Sequence, residues 1–302
     1  MEAILMRAGS FMAVIILGYV LKKVGFFKED DFYVMSKIMV KITLPASIIV
    51  NFSQTKMEPS MFLLCLLGFG GGILYMALGW IMGGKDPDEK GFQILNLSGY
   101  SIGSFTMPFT SSFFGPAGVV VTSLFDTGNA VIALGGSYSI GAMVKNREKK
   151  FSFIPLCKTL LCSVPFDAYL FMYVLYWLHL SLPASVLNIA QLVANANAFL
   201  AMLMLGVGFK LSGDRTQMSK IVKMLGVRYG VAVLTAAAFY FLLPFSLEDR
   251  QALAVLVFSP IAAAAPAFTA DMKGDINLAS AVNSLSIIIS MFCITCVLIA
   301  VL

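Results

Sequence analysis

Histidine is almost missing from this sequence: His179 is the single one in 302 residues. A metal-binding histidine cluster and most of the known intramembrane hydrolytic arrangements are thereby excluded. Charge is also scarce. Lys and Arg number 21 and Asp and Glu 16, together 12% of the chain, where a soluble domain carries about 25%. No G-x-x-x-x-G-K-[ST] stretch occurs, so the chain holds no phosphate-cradling loop for ATP. The five cysteines (Cys65, Cys157, Cys162, Cys293 and Cys296) fall within or at the edges of apolar runs, which is no disulfide framework. Cys293 and Cys296 form a C-x-x-C inside the last apolar run without a nearby histidine, and read as buried small hydrophobes. No cofactor, no metal and no enzyme activity are expected.

What is present is apolar sequence. Hydrophobic residues make up 59% of the chain, and runs of about 20 recur from end to end, the signature of spanning helices. The first run, ILMRAGSFMAVIILGYVL, lacks a basic leader and a small-x-small cleavage site, and reads as a retained span. Polar breaks predict ten helices, over 3–21, 32–53, 60–82, 91–113, 116–144, 152–178, 184–209, 220–243, 249–271 and 277–301. Alternate loops on one face carry 14 basic residues, whereas the other face carries Arg7, Lys56 and Arg250. Lys37, Lys41, Lys158 and Arg228 fall in spans or at their ends. This asymmetry places the basic loops in the cytoplasm and both termini outside, in a multi-pass plasma (inner) membrane protein. The net charge of +5 therefore belongs to membrane topology, and no nucleic-acid partner is expected.

The segment KNREKK (145–150) divides the spans five and five. Five is odd, so homologous halves at 1–146 and 147–302 would insert with opposite orientations, the inverted repeat of many secondary transporters. A sequence echo supports this. The fourth span holds TMPFTSSFFGPAG and the ninth FSPIAAAAPAFTADMKGD, with Pro108 and Pro266 in mid-run and Gly115 and Gly274 beyond them. Residues 103–118, GSFTMPFTSSFFGPAG, contain five hydroxyl side chains, two prolines and three glycines at membrane depth. Broken backbone is tolerated there only where protein encloses it or it lines a water-filled cavity. Ser104, Thr106, Pro108 and Thr110 on the fourth span, with Ser259, Pro266 and Thr269 on the ninth, are the candidate substrate contacts.

Other polar residues inside spans are candidates by their cost alone. Lys41 stands four residues before Pro45; it either snorkels to the interface or contacts an anion. Asp126 and Asn129 lie one turn apart in the fifth span. Asp126 either binds a coupling proton or cation, pairs with Lys41, or holds the backbone freed by the broken helix. Asn188, Gln191 and Asn195 share one face of the seventh span, where interhelical amide bonds are the plain explanation, and Asn197 points elsewhere.

The stretches GYVLKKVGFFKEDDFYVMSKIMVKITLPASIIVNF, FTMPFTSSFFGPAGVVVTSLFDTGNAVI and ADMKGDINLASAVNSLSIIIS together resemble the auxin efflux carrier (PIN-like) superfamily in its short bacterial form. The resemblance extends over essentially the whole chain. It implies an all-α integral membrane fold of ten transmembrane helices in two inverted five-helix repeats, with broken helices four and nine crossing at the substrate site. It also implies an elevator-like movement of the crossover against a scaffold of helices one, two, six and seven, small organic anion substrates, and a homodimer. Where the family often carries asparagine at the crossover, the aligned positions here are Ser101 and Ala265. The second helix has Lys41 where asparagine is frequent. The expected function is secondary transport of a small organic anion; the alternative is a membrane receptor that binds a small ligand without moving it.

Overall fold

The structure, a computed structural model, describes residues 2–28, 30–55, 59–146, 153–209 and 217–302. Lys56, Arg147, Lys149, Lys150, Lys210 and Arg215 lie outside the described residues, and the expected division after residue 146 falls at their edge. Every described element is helical. Among the described residues there is no strand, and one isolated antiparallel bridge joins Tyr100 to Ile261.

Helix α1 (Glu2–Lys23) ends on two lysines and a turn at Gly25. Helix α2 (Asp31–Ile38) runs through a π-helical turn, Met39–Thr43, into α3 (Leu44–Gln54). The cause is Pro45, which has no N–H and whose ring crowds the carbonyl four residues back. A widened turn ahead of it lets the helix continue. Helix α4 (Leu63–Met82) follows a short 3-10 turn. Helix α5 (Pro87–Leu97) is started by Asp86, which accepts the Asp88 N–H at 3.0 Å. It stops at Leu97. After a non-helical stretch over 98–101, a second π turn (Ile102–Thr106) absorbs Pro108 and leads into α6 (Met107–Val131).

Helix α6 contains a corner at Gly115, with φ 60° and ψ −151°, before Pro116. Tyr100, fifteen residues before the corner, is hydrogen-bonded to Asn129, fourteen after it, so the chain folds back as a hairpin. A third π turn, Ile132–Gly136, leads to α7 (Ser137–Lys145). Then come α8 (Phe153–Leu161), α9 (Val164–Trp177), α10 (Ala184–Ala194) and α11 (Asn197–Gly208). Helix α12 (Met218–Leu242) is uninterrupted, whereas α13 (Leu247–Leu256) and α14 (Ala265–Asp271) are separated by a second unwound stretch. Helix α15 (Ile276–Val301) closes the chain.

Among the described residues seven helical segments are long and apolar enough to cross a bilayer, and the chain is a multi-pass membrane protein. Their outward faces confirm the solvent they are built for: Ile81, Leu192, Phe241 and Leu242 are each more than 70% exposed. In water such a surface would aggregate; in hydrocarbon it costs nothing. Among the helices too short to qualify, α5 and α13 lie inside, with Gly91–Leu97 and Gln251–Leu256 all buried. Two joints lie within stretches expected to be continuous. One, Cys162–Ser163, separates α8 from α9 just ahead of Pro165. The other, Asn195–Ala196, separates α10 from α11.

Helices touch through glycines where backbones must approach. A Cβ on Gly128 would lie 1.8 Å from the Cys65 carbonyl oxygen, and one on Gly68 2.0 Å from that of Phe125, so α4 and the second arm of α6 meet backbone to backbone. Gly18 and Gly206 do the same for α1 and α11. Gly128→Ala should therefore destabilise the protein by about 1–3 kcal/mol through overpacking. Gly70→Ala, which meets nothing within 4 Å, should leave stability unchanged or raise it by up to ~1 kcal/mol. Thermal unfolding of the two purified variants checks the contrast.

Candidate functional site

The two unwound stretches cross near the centre of the molecule. Tyr100 and Ile261 pair antiparallel, and the Ser101 N–H donates to the Pro260 carbonyl at 2.9 Å. Gly99, with φ 77°, makes the reversal after α5 that a residue with a Cβ would resist. On the other strand of the crossing, Pro260 has no N–H to leave unpaired. The interruptions thus fall at 98–101 and 257–264, upstream of Pro108 and Pro266. Pro266 sits in the first turn of α14, where a missing N–H has no consequence, and Pro108 follows the π turn that accommodates it. Replacing both with alanine would leave the breaks where they are.

Freed backbone at this depth needs partners, and side chains from three other segments supply them. Asn129 on α6 clasps the Tyr100 peptide with both amide atoms: its Oδ1 accepts the Tyr100 N–H at 2.9 Å and its Nδ2 donates to the Tyr100 carbonyl at 2.9 Å. The same Nδ2 donates to Asp126 Oδ1 at 2.9 Å, and the Tyr169 hydroxyl of α9 donates to Asp126 Oδ2 at 3.1 Å. Asp126 accordingly braces the clasp. It forms no ion pair with Lys41, which is exposed on the π turn of the second span. On the other segment Asn283 of α15 donates to the Ile261 and Ala262 carbonyls at 3.2 and 3.3 Å, and Ser286 Oγ accepts the Ile261 N–H at 3.2 Å.

The largest contribution comes from Arg228 of α12, which is 1% exposed. Its Nη1 donates to the Leu97 carbonyl at 2.5 Å. Its Nη2 donates to the carbonyls of Gly99 (3.0 Å), Ser259 (3.0 Å) and Pro260 (3.2 Å). The guanidinium also lies 4.9 Å from the Tyr75 ring centre and 5.2 Å from that of Tyr100.

Several expected site residues meet here. Ser101 and Ser104 share a hydrogen bond at 2.8 Å, and Thr106 and Ser259 one at 2.5 Å. Thr269 receives a bond from Asn96 at 3.0 Å, tying α14 to α5. Thr110 turns back to the Met107 carbonyl at 3.2 Å, and Pro108 and Ala265 are buried. Two candidates are not brought in. Lys41 faces outward. Asn195 ends α10 on an exposed face, accepting from Gln191 at 2.8 Å. The buried amide of the seventh span is Asn197, whose Oδ1 accepts from Thr43 at 2.8 Å.

A cavity of about 590 Å³ reaches the crossing from the face that carries the basic loops. Lys22, Asp30 and Asp271 stand at its mouth; Ser101, Ile261, Asn283 and Pro266 line its inner end, with Ser280, Ser284 and Ala263 along the walls. It is large enough for a small organic molecule.

One curated protein is similar along almost the whole chain. It is described as an uncharacterized transporter from Methanothermobacter thermautotrophicus (strain Delta H), 21% identical over 292 residues, which span 93% of this chain and 93% of that protein. No family model matches the chain.

The sequence signal for the missed residues was available in part. Arg228 is a basic residue in mid-run, and an ionisable group there is a functional candidate by its cost. Asn283 lies in the first third of the last span, among Ser280, Ser284 and Ser286. Asn129→Ala should cost about 3 kcal/mol, because it orphans a buried N–H and a buried C=O together. Asn283→Ala should cost about 1 kcal/mol, since its bonds are longer and the side chain is half-buried. Melting temperatures in that order check the assignment.

Proposed function

We propose that this chain is a secondary transporter of small organic anions, mono- or dicarboxylates, belonging to the auxin efflux carrier (PIN-like) superfamily that its sequence resembles. The observation that carries the proposal is the antiparallel crossing of two interrupted helices at the end of a cavity that opens to one face. Interrupted helices at corresponding places in two halves are where such transporters hold their substrates. The chain then has ten spans in two inverted halves, 1–146 and 147–302, with basic loops in the cytoplasm and both termini outside. Similarity to a protein described as a transporter supports the class.

The chemistry of the cavity's inner end supports an anion. Ser101, Ser280 and Asn283 offer neutral donors, and the Arg228 charge lies one peptide behind Ser101 and Ile261. Among the described residues Arg228 has no carboxylate partner. Asp30 and Asp271 stand at the mouth. Transport follows an elevator-like movement of the crossing against a scaffold that includes α1 and α11.

Thermal unfolding with a panel of small carboxylates tests the substrate class. A ligand at a hundredfold excess over its Kd should add about 2.7 kcal/mol. Ala263→Trp, at a position open to the cavity, should abolish that shift while leaving the ligand-free melting temperature near that of the wild type. Counterflow of the stabilising carboxylate in liposomes then separates transport from ligand sensing: a transporter accumulates tracer transiently, and a receptor accumulates none. A flat panel from folded protein would overturn the anion assignment.

A further inference from the structure

Two helix C-termini point at one place in this fold. Helix α5 ends at Leu97 and α13 at Leu256, and each end carries roughly half a negative charge in its unpaired carbonyls. In transporters with broken helices, unwound carbonyls and half-helix C-termini of this kind coordinate an alkali ion or a proton. Here the space among the carbonyls of Leu97, Gly99, Ser259 and Pro260 is filled by the Arg228 guanidinium. We propose that Arg228 is the crossover's own cation: a positively charged group carried in by α12 that occupies a carbonyl cage fit for a cation and clamps both broken helices together without a bound metal ion.

Three observations converge on this. Each broken helix gives two carbonyls, so one group bridges the two rather than capping either. Only the terminal nitrogens are used; the buried Nε has no partner, so the guanidinium head acts as the ligand and the rest of the side chain as its tether. Two aromatic faces, Tyr75 and Tyr100, enclose the charge, and the Tyr75 hydroxyl donates to the Arg228 carbonyl at 2.9 Å, which fixes the tether where it leaves α12. Neither ring neutralises the charge, and the other compensation comes from peptide dipoles. A solvated alkali ion would need the same oxygens and would face a permanent like charge. Arg228 is thus a positioning residue, and the inference stands on the crossing itself, independent of which molecule the cavity takes.

The test is thermal unfolding of the purified protein at one ionic strength in sodium, potassium or choline chloride, each with and without low-millimolar guanidinium. Wild type should melt at the same temperature in all three salts, with or without guanidinium. Arg228→Ala should melt lower by on the order of 10 °C and regain most of that loss with guanidinium but not with choline. Arg228→Met, which fills the tether's space without charge, should be as unstable and should not respond. A general loss of packing would give no selective rescue. Wild-type stability that depends on sodium or potassium, or an Arg228→Ala protein that guanidinium does not restore, overturns the proposal. If Arg228→Ala does not accumulate, Arg228→Lys carries the comparison. It should melt below wild type and alike in all three salts; a lysine variant that requires sodium overturns the proposal equally. Neither outcome touches the carboxylate panel, so this inference and the anion assignment fail separately.

Discussion

Peptide groups released from a helix cannot stay unpaired inside hydrocarbon, where each costs several kcal/mol. This chain releases two stretches of them in its most enclosed region. The crossing satisfies some through the bridge between Tyr100 and Ile261, and the rest depend on side chains from outside. Arg228 takes four carbonyls, Asn129 takes one whole peptide, and Asn283 with Ser286 takes most of another. Much of the remaining architecture exists to bring those three segments to the same point. The corner at Gly115 returns α6 alongside the crossing. The bare glycines Gly68 and Gly128 let α6 lie against α4, and α4 in turn carries the Tyr75 that covers Arg228. A side chain added at either glycine would displace the clasp as well as a helix contact.

The sequence was informative about where the chain is apolar and where it breaks, and much less so about what mends the breaks. Most expected span limits fall within a few residues of a described helix end, because charged turns such as GGKDPDEK are local signals; the fourth does not, since α6 runs through its expected end at residue 113. The breaks were placed too late. Proline is conspicuous in a sequence, yet Pro45 and Pro108 each follow a π turn that accommodates them with little disruption. The true interruptions rest on Gly99 and on contacts between residues more than a hundred positions apart, such as Arg228 with Leu97. No local pattern reports such a pairing.

One π turn and one helix joint set where two of the expected polar residues lie. Helical phase predicts which residues share a face only while 3.6 residues make a turn. Lys41 lies inside a widened turn, so its direction does not follow from the spacing to Pro45. Asn195 occupies a helix end that the apolar pattern runs straight through, leaving the next amide, Asn197, to face the interior. Asp126 and Asn129 were legible as a pair because α6 is regular there. Their partner Tyr169 was not, because it arrives from another segment.

The two sides of the crossing are not held equally, and the difference bears on which side answers to a ligand. Tyr100 is gripped through both its N–H and its C=O by one fully buried amide, itself braced by Asp126 and Tyr169. Ile261 and Ala262 are held through longer bonds shared from a single half-buried amide, and that amide lines the cavity. A molecule entering the cavity therefore meets a donor already divided between two carbonyls, and it competes for that donor. No comparable competition is open at Tyr100, where the clasp faces away from the cavity lining. Arg228 joins both segments, so a shift of the looser one is transmitted to the tighter one through shared carbonyl bonds rather than through side-chain packing. Movement that begins at Ile261 would therefore carry both segments of the crossing together.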